Sequence, residues 1–328
     1  MPTTYWSNDT FCLRRELEDG KDPNYQDEKT LTTHLHAVCA NGETDCVVLL
    51  LEFKADPNIT DKEGMTPLHE ACIKNKPECV RYLLEANADP VRADKEGNTP
   101  LHYACQKGAS ECTRLLLAHK DVALNAVNSH GLTALHMACL NKEGGLCPFL
   151  LLEKGADTTI KDDMEYTPLA IAAATGCPTF VRILLEHDAD PNTLDKLGRT
   201  PLYIACHFRN ADCVRILANH EGVDIHKAAL DGKTPLHEAI YDRYSASAWW
   251  LLEKGADMHK ADESGETPWT LGQHREYFVI TQMLEEYMKR VVGGRKRERS
   301  EDESEDESED GSEEEEDDEP SAKRGRSE

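Results

Sequence analysis

Apolar and polar residues follow one another along this chain with the spacing of short helices, and the same layout returns at a fixed interval. Runs such as Cys79-Val80-Arg81-Tyr82-Leu83-Leu84 and Phe180-Val181-Arg182-Ile183-Leu184-Leu185 gather their apolar residues on one helical face and leave an arginine for solvent. Upstream of such a run stands a helix start. Thr-Pro-Leu-His occupies 66–69 and again 99–102; the threonine hydroxyl can cap free backbone N–H groups, and proline at the first helical position loses no hydrogen bond. Gly-Ala-Asp at 155–157 and 255–257 ends the second helix at a glycine suited to left-handed backbone. Asp-x-x-Gly at 94–97 and 195–198 supplies a turn before the next threonine. Each unit is therefore predicted as turn, helix, loop, helix.

The threonine register runs Thr33, Thr66, Thr99, Thr133, Thr167, Thr200, Thr234 and Thr267, with every spacing 33 or 34 residues. A period near 33 carrying Thr-Pro-Leu-His-x-Ala resembles the ankyrin repeat over roughly residues 10 to 291. The resemblance implies an all-α ankyrin-repeat solenoid of about eight helix-turn-helix repeats with short turn fingers, stabilised mainly between nearest neighbours. Three segments are expected: residues 1–28 as an N-terminal segment with a partial capping repeat, 29–291 as the repeat domain, and 292–328 as a disordered acidic tail. The ends depart from the pattern as caps should. Phe11 to Asp27 resembles only the back half of a repeat, and a last helix is predicted at about Tyr277 to Val291. Units four and five depart too. Ala134 replaces proline, one extra residue sits within Asn141 to Gly145, Glu165 takes the turn glycine's place and Ala170 that of histidine, so an irregular turn is expected around Asp162 to Tyr166.

Composition adds a compartment. The 328 residues carry 37 basic and 62 acidic side chains, a net charge of −25, with no long apolar run and no signal-peptide core behind Met1. A soluble protein of the cytoplasm and/or nucleus, most simply a monomer, is expected. Residues 1–291 alone hold 45 acidic and 30 basic side chains, which disfavours direct DNA binding. Of the twelve cysteines, Cys39, Cys72, Cys105, Cys139 and Cys206 share one repeat position, and Cys46, Cys79, Cys112, Cys147 and Cys213 another. They read as small buried hydrophobes with free thiols. His-x-x-Cys at His36/Cys39, His69/Cys72, His102/Cys105 and His136/Cys139 would offer zinc two ligands on one face, but four ligands are never grouped locally. The resemblance gives the histidine a structural bond to the adjoining turn. No metal and no cofactor is expected, and no phosphate loop, His-Glu-x-x-His or Gly-x-Ser-x-Gly motif points to catalysis.

Recognition remains. In ankyrin repeats it is implied to fall on the concave side, formed by turn tips and the exposed residues of each first helix. Carried onto this sequence, that rule gives a partner-binding set of Tyr103, Met137, Tyr203, Phe208 and Tyr241 on the helices with Tyr166 and Arg199 at the tips, amid neighbours such as His207, Glu238 and Asp242. Tyrosines and other large apolar groups dominate protein-interface hot spots. Trp249 falls where other units carry Arg81, Arg114, Arg182 and Arg215; it either packs on the terminal cap, the expected arrangement, or marks a second, convex contact.

From Ser300 to Glu319 there are 15 acidic residues and no basic one, between Arg295-Lys296-Arg297-Glu298-Arg299 and Lys323-Arg324-Gly325-Arg326. Like-charge repulsion and low hydrophobicity argue for disorder. Ser300, Ser304, Ser308 and Ser312 each begin a Ser-x-x-acid pattern that looks like a casein kinase 2 phosphorylation site. Two function classes follow: a non-catalytic interaction scaffold or regulator, or a nuclear histone- or chromatin-binding factor or inhibitor-of-NF-kappaB-like regulator working through the tail. The Asp-Ser-Gly phosphodegron of the latter is absent, and no SOCS-box-like or F-box-like segment is seen after the repeats.

Overall fold

In a computed structural model of the protein, which describes residues 9–141, 145–273 and 278–290, the described helices fall into successive pairs. The helix α1 (Thr10–Glu18) stands alone at the start. Pairs follow: α2 (His34–Asn41) with α3 (Thr44–Glu52), α4 (Pro67–Ile73) with α5 (Pro77–Glu85), α6 (Pro100–Gln106) with α7 (Ser110–Ala118), and α8 (Ala134–Leu140) with α9 (Cys147–Glu153). Next come α10 (Pro168–Thr175) with α11 (Pro178–Glu186), α12 (Pro201–His207) with α13 (Ala211–Asn219), and α14 (Pro235–Tyr241) with α15 (Ser245–Glu253). α16 (Pro268–Gly272) precedes a last helix at 278–290. Each first helix packs on the first helices before and after it, and each second helix on its own neighbours, giving two parallel rows. The motif leucines Leu68, Leu101, Leu135, Leu169, Leu202 and Leu236 are buried between the rows. A seven-residue helix is too short to stand alone in water, so this packing is what holds it.

The motif threonine and histidine act together. In α4, the Nδ1 of His69 accepts from the backbone N–H of Thr66 at 3.0 Å and lies 2.9 Å from its hydroxyl, while Nε2 lies 3.1 Å from the carbonyl of Asn98 in the next finger. Because Nδ1 takes a backbone proton, the ring is neutral and Nε2–H donates. The same zipper joins His36 to Met65, His102 to Leu132, His136 to Tyr166 and His237 to Glu266. Neighbouring fingers are also bridged by main chain, as from Lys95 N to Glu63 O and from Asp163 N to His130 O.

The irregular turn expected around Asp162 to Tyr166 does not occur. Asp162 Oδ1 accepts from the N–H groups of Met164 and Tyr166, each at 2.8 Å, as Asp94 does from Glu96 and Asn98. Glu165 achieves this by adopting φ 61° in the slot where Gly97 has φ 80°. Two aspartate hydrogen bonds and two neighbouring fingers outweigh the roughly 1–2 kcal/mol that left-handed backbone costs a residue with a Cβ. Glu165→Gly is therefore expected to raise stability by about 1 kcal/mol, read as an increase in melting temperature; its exposed contact with Lys161 at 3.4 Å contributes little.

All twelve cysteines are free thiols, and the ten at the two shared repeat positions are buried. Trp249 meets the final helix, its ring edge-on to Tyr287 at 6.2 Å with the Arg290 guanidinium 5.1 Å from its centroid. Tyr287 donates to the carbonyl of Leu252 at 2.7 Å. The tryptophan thus replaces a solvent-facing arginine where the terminal helix must be held.

Candidate functional site

Each finger projects beside its first helix, and a groove runs between them. The groove-side residues do not behave alike, because the helix behind each one differs in what it leaves uncovered. Phe208 and Tyr241, at the C-terminal ends of α12 and α14, are exposed at 50 % and 57 %. Phe208 rests edge-on against His207 at 5.0 Å, and the Lys233 ammonium lies 5.8 Å from the Tyr241 ring. Tyr103 is half-buried. Its hydroxyl donates to Asp94 Oδ2 at 2.6 Å, and its ring meets His69 edge-on at 5.9 Å. Burial, then the Asp94 carboxylate, push its pKa up.

At the tips, Arg199 joins two fingers. Its Nε donates to Asp195 Oδ2 at 2.8 Å and a terminal nitrogen donates to the Tyr166 hydroxyl at 2.7 Å. The aspartate side chain is only 3 % exposed and the arginine 15 %, so this charge-assisted pair is shielded from water.

Two expected groove residues are core residues instead. Tyr203 stands three positions after Thr200, in the slot of the motif histidine, and that slot points into the stack. It is 5 % exposed, with its hydroxyl donating to Glu238 Oε2 at 2.8 Å. Met137 does occupy the position after a histidine, but α6 and α10 close over α8 on both sides and leave it 6 % exposed. Sequence reasoning also missed a stripe. Met164, Leu197 and Leu230 are exposed at 51 %, 52 % and 68 % on three consecutive finger turns. The signal was available, since Met164 and Leu197 stand where other fingers carry Glu63, Glu96 and Asp231.

Leu197 and Leu230 line a crevice of about 230 Å³ together with Arg199, Tyr203, His207 and Glu238. The Glu238 carboxylate lies deep in it, accepting from Tyr203 on one oxygen and 2.5 Å from His207 Nδ1 on the other. Ser300, Ser304, Ser308 and Ser312, expected from the sequence as phosphorylation sites, lie outside the described residues.

The geometry matches what comparison with known proteins gives. A family model for ankyrin repeats, three copies to a match, aligns with residues 5–94, 89–162 and 169–262. The chain belongs to the ankyrin repeat family. Ankyrin repeat and SOCS box protein 16 of Mus musculus is 39% identical over 159 residues, covering 46% of this chain and 35% of that protein. Protein phosphatase 1 regulatory subunit 27, also of Mus musculus, is 41% identical over 66 residues, 20% of this chain and 42% of that protein. A Drosophila melanogaster ARF GTPase-activating protein Git is 43% identical over 53 residues, 16% of this chain and 7% of that protein. The chain thus spans about a third of the SOCS box relative it matches. Ankyrin repeats are protein-interaction modules, and no helix among the described residues is long and apolar enough to cross a membrane.

Proposed function

We propose that the protein is a non-catalytic scaffold or regulator that captures a protein segment in the groove of its fifth to seventh repeats. The exposed apolar stripe Met164, Leu197 and Leu230, together with the exposed rings of Phe208 and Tyr241, carries this reading. Large apolar side chains left at least half open on consecutive repeats keep apolar surface in water, and its desolvation by a partner is favourable. Arg199 and Tyr166 would supply the polar rim.

A variant carrying Leu197→Ser, Leu230→Ser and Phe208→Ala is expected to weaken partner capture at least roughly tenfold, about 1.4 kcal/mol. Its melting temperature should stay near that of the parent, because all three side chains are at least half exposed. Arg81→Ala with Arg182→Ala, on the outer row, is the control. Capture unaffected by the groove changes but lost with the arginine changes would put the binding face on the other side.

A second role for the acidic stretch Ser300 to Glu319 rests on its 15 carboxylates, which suit a basic protein such as a histone. Residence in the cytoplasm, the nucleus or both, addressed by the flanking basic clusters, belongs to the same proposal. The SOCS box and the phosphatase in the relatives' names are properties of those proteins.

A further inference from the structure

We propose that His207, Glu238 and Asp242 form a binding site for a zinc-class divalent transition-metal ion on the wall of the groove. One imidazole nitrogen and one oxygen from each carboxylate lie within 4.8 Å of one another, the one such grouping of possible ligands among the described residues. Three protein ligands with a fourth position open to water are the arrangement of accessible zinc sites, and imidazole nitrogen and carboxylate oxygen are both zinc donors. The nitrogen donor disfavours magnesium and calcium, which take oxygen. Tetrahedral zinc at ~2.1 Å from each ligand sets neighbouring ligand atoms about 3.4 Å apart. The His207 to Glu238 contact must therefore open by somewhat under an ångström while Asp242 moves in. Both movements are short, the His207 side chain is 43 % exposed, and Asp242, 19 % exposed, is paired at 3.6 Å with Arg209, itself 62 % exposed.

The charge balance at Glu238 argues for a cation. This side chain is 9 % exposed, its two oxygens face a phenol and an imidazole, and Lys233, a fixed cation that acts on it, is itself paired with Asp231 at 3.3 Å. Buried carboxylates are ordinarily paired or bound to metal. Tyr203 holds Glu238 Oε2 and leaves Oε1 turned to His207, so the phenol acts as the outer partner that fixes a ligand's orientation. The crevice lined by Leu197 and Leu230 gives the ion its way in from solvent. The ligands come from two successive repeats, so a bound ion would clip α12 to α14.

Isothermal titration of the metal-stripped full-length chain with zinc chloride, in the presence of excess magnesium, is expected to show one site per chain. His207→Ala and Glu238→Gln should each weaken it at least tenfold, and Tyr203→Phe about tenfold. Cobalt(II) in place of zinc separates this site from the twelve thiols. Visible d–d bands without a near-ultraviolet thiolate-to-cobalt band support it; a thiolate band, or a titration the two variants leave unchanged, overturns it. Melting curves of the apo variants establish that they fold, Glu238→Gln being nearly isosteric. The measurement needs no protein partner, so its outcome is separate from that of the capture experiment.

Discussion

Acidification from pH 7 to about 4.5 is expected to lower the melting temperature of the repeat domain steeply, with most of the loss below pH 6.5. The imidazoles of the zipper cause it. His69 is completely buried and its pKa is lowered from 6.5 to about 4, burial being the main reason. His36, His102, His136 and His237 are lowered by burial as well, and His34 falls to about 4 from the same cause. The neighbouring finger aspartates, Asp61 beside His36 and Asp94 beside His69, pull the other way without reversing the shift. A histidine whose folded pKa lies below its unfolded one binds its proton first in the unfolded chain. Its contribution is therefore intact above about pH 6.5 and drains away as the pH falls towards the folded value. For His69 the full loss is roughly 3 kcal/mol, at 1.36 kcal/mol per pKa unit.

The geometry says why the folded ring resists protonation. A proton on Nδ1 would face the N–H of Thr66, donor against donor. A globular domain is stable by only about 5–15 kcal/mol, so a few such rings suffice to unfold it. Lower pH also relieves the repulsion within a chain of net charge −25, which works in the stabilising direction; constant, moderate salt keeps that contribution small. Circular-dichroism melts at pH 7, 6, 5 and 4.5 decide the matter, and His69→Gln with His102→Gln should flatten the slope. A melting temperature that holds steady or rises on acidification would rule out the zipper as the acid-labile element.

Tyr203→Ala is expected to destabilise the protein by about 3–5 kcal/mol, the loss typical of a buried ring removed from a core. The ring is 5 % exposed, and its removal also leaves Glu238 Oε2 without a donor inside the stack. Tyr203→Phe keeps the ring and removes only the hydroxyl, so about 1–3 kcal/mol should go. Chemical denaturation of the two variants beside Phe208→Ala, expected within about 1 kcal/mol of the parent at its half-exposed site, makes the comparison. If Tyr203→Ala were no more harmful than Phe208→Ala, the histidine slot would not be a core position in the sixth repeat.

Much of the architecture was readable before any coordinates, since it is written in local chemistry repeated at a fixed interval. Thr66, Pro67, Leu68 and His69 each specify a contact within one repeat or with the next, and the helices begin where those residues stand. Trp249 was readable for the same reason: one residue breaking a row of arginines has to meet something different. The groove was less legible because exposure there depends on what neighbouring repeats cover. Met137 follows its histidine as Tyr103 does, yet one is buried and the other half-buried. Tyr203 was misplaced by one position, since a tyrosine standing in for the histidine looks like the tyrosine that follows one. The turn at Glu165 was misjudged from backbone preference alone, which two hydrogen bonds to Asp162 override.

The zipper is interrupted once. Ala170 and Tyr203 occupy histidine slots, so the fifth and sixth repeats send no imidazole to the next finger. Their junctions are tied by Tyr166, Arg199 and Asp195 on one side and by Tyr203, Glu238 and His207 on the other. Arg199, Tyr203, Glu238 and His207 all line the crevice beside the groove, although Tyr203 and Glu238 are themselves almost wholly buried. Anything that settles on this stretch therefore meets the side chains that tie one repeat to the next. Binding here and the joining of the fifth, sixth and seventh repeats draw on the same hydrogen bonds.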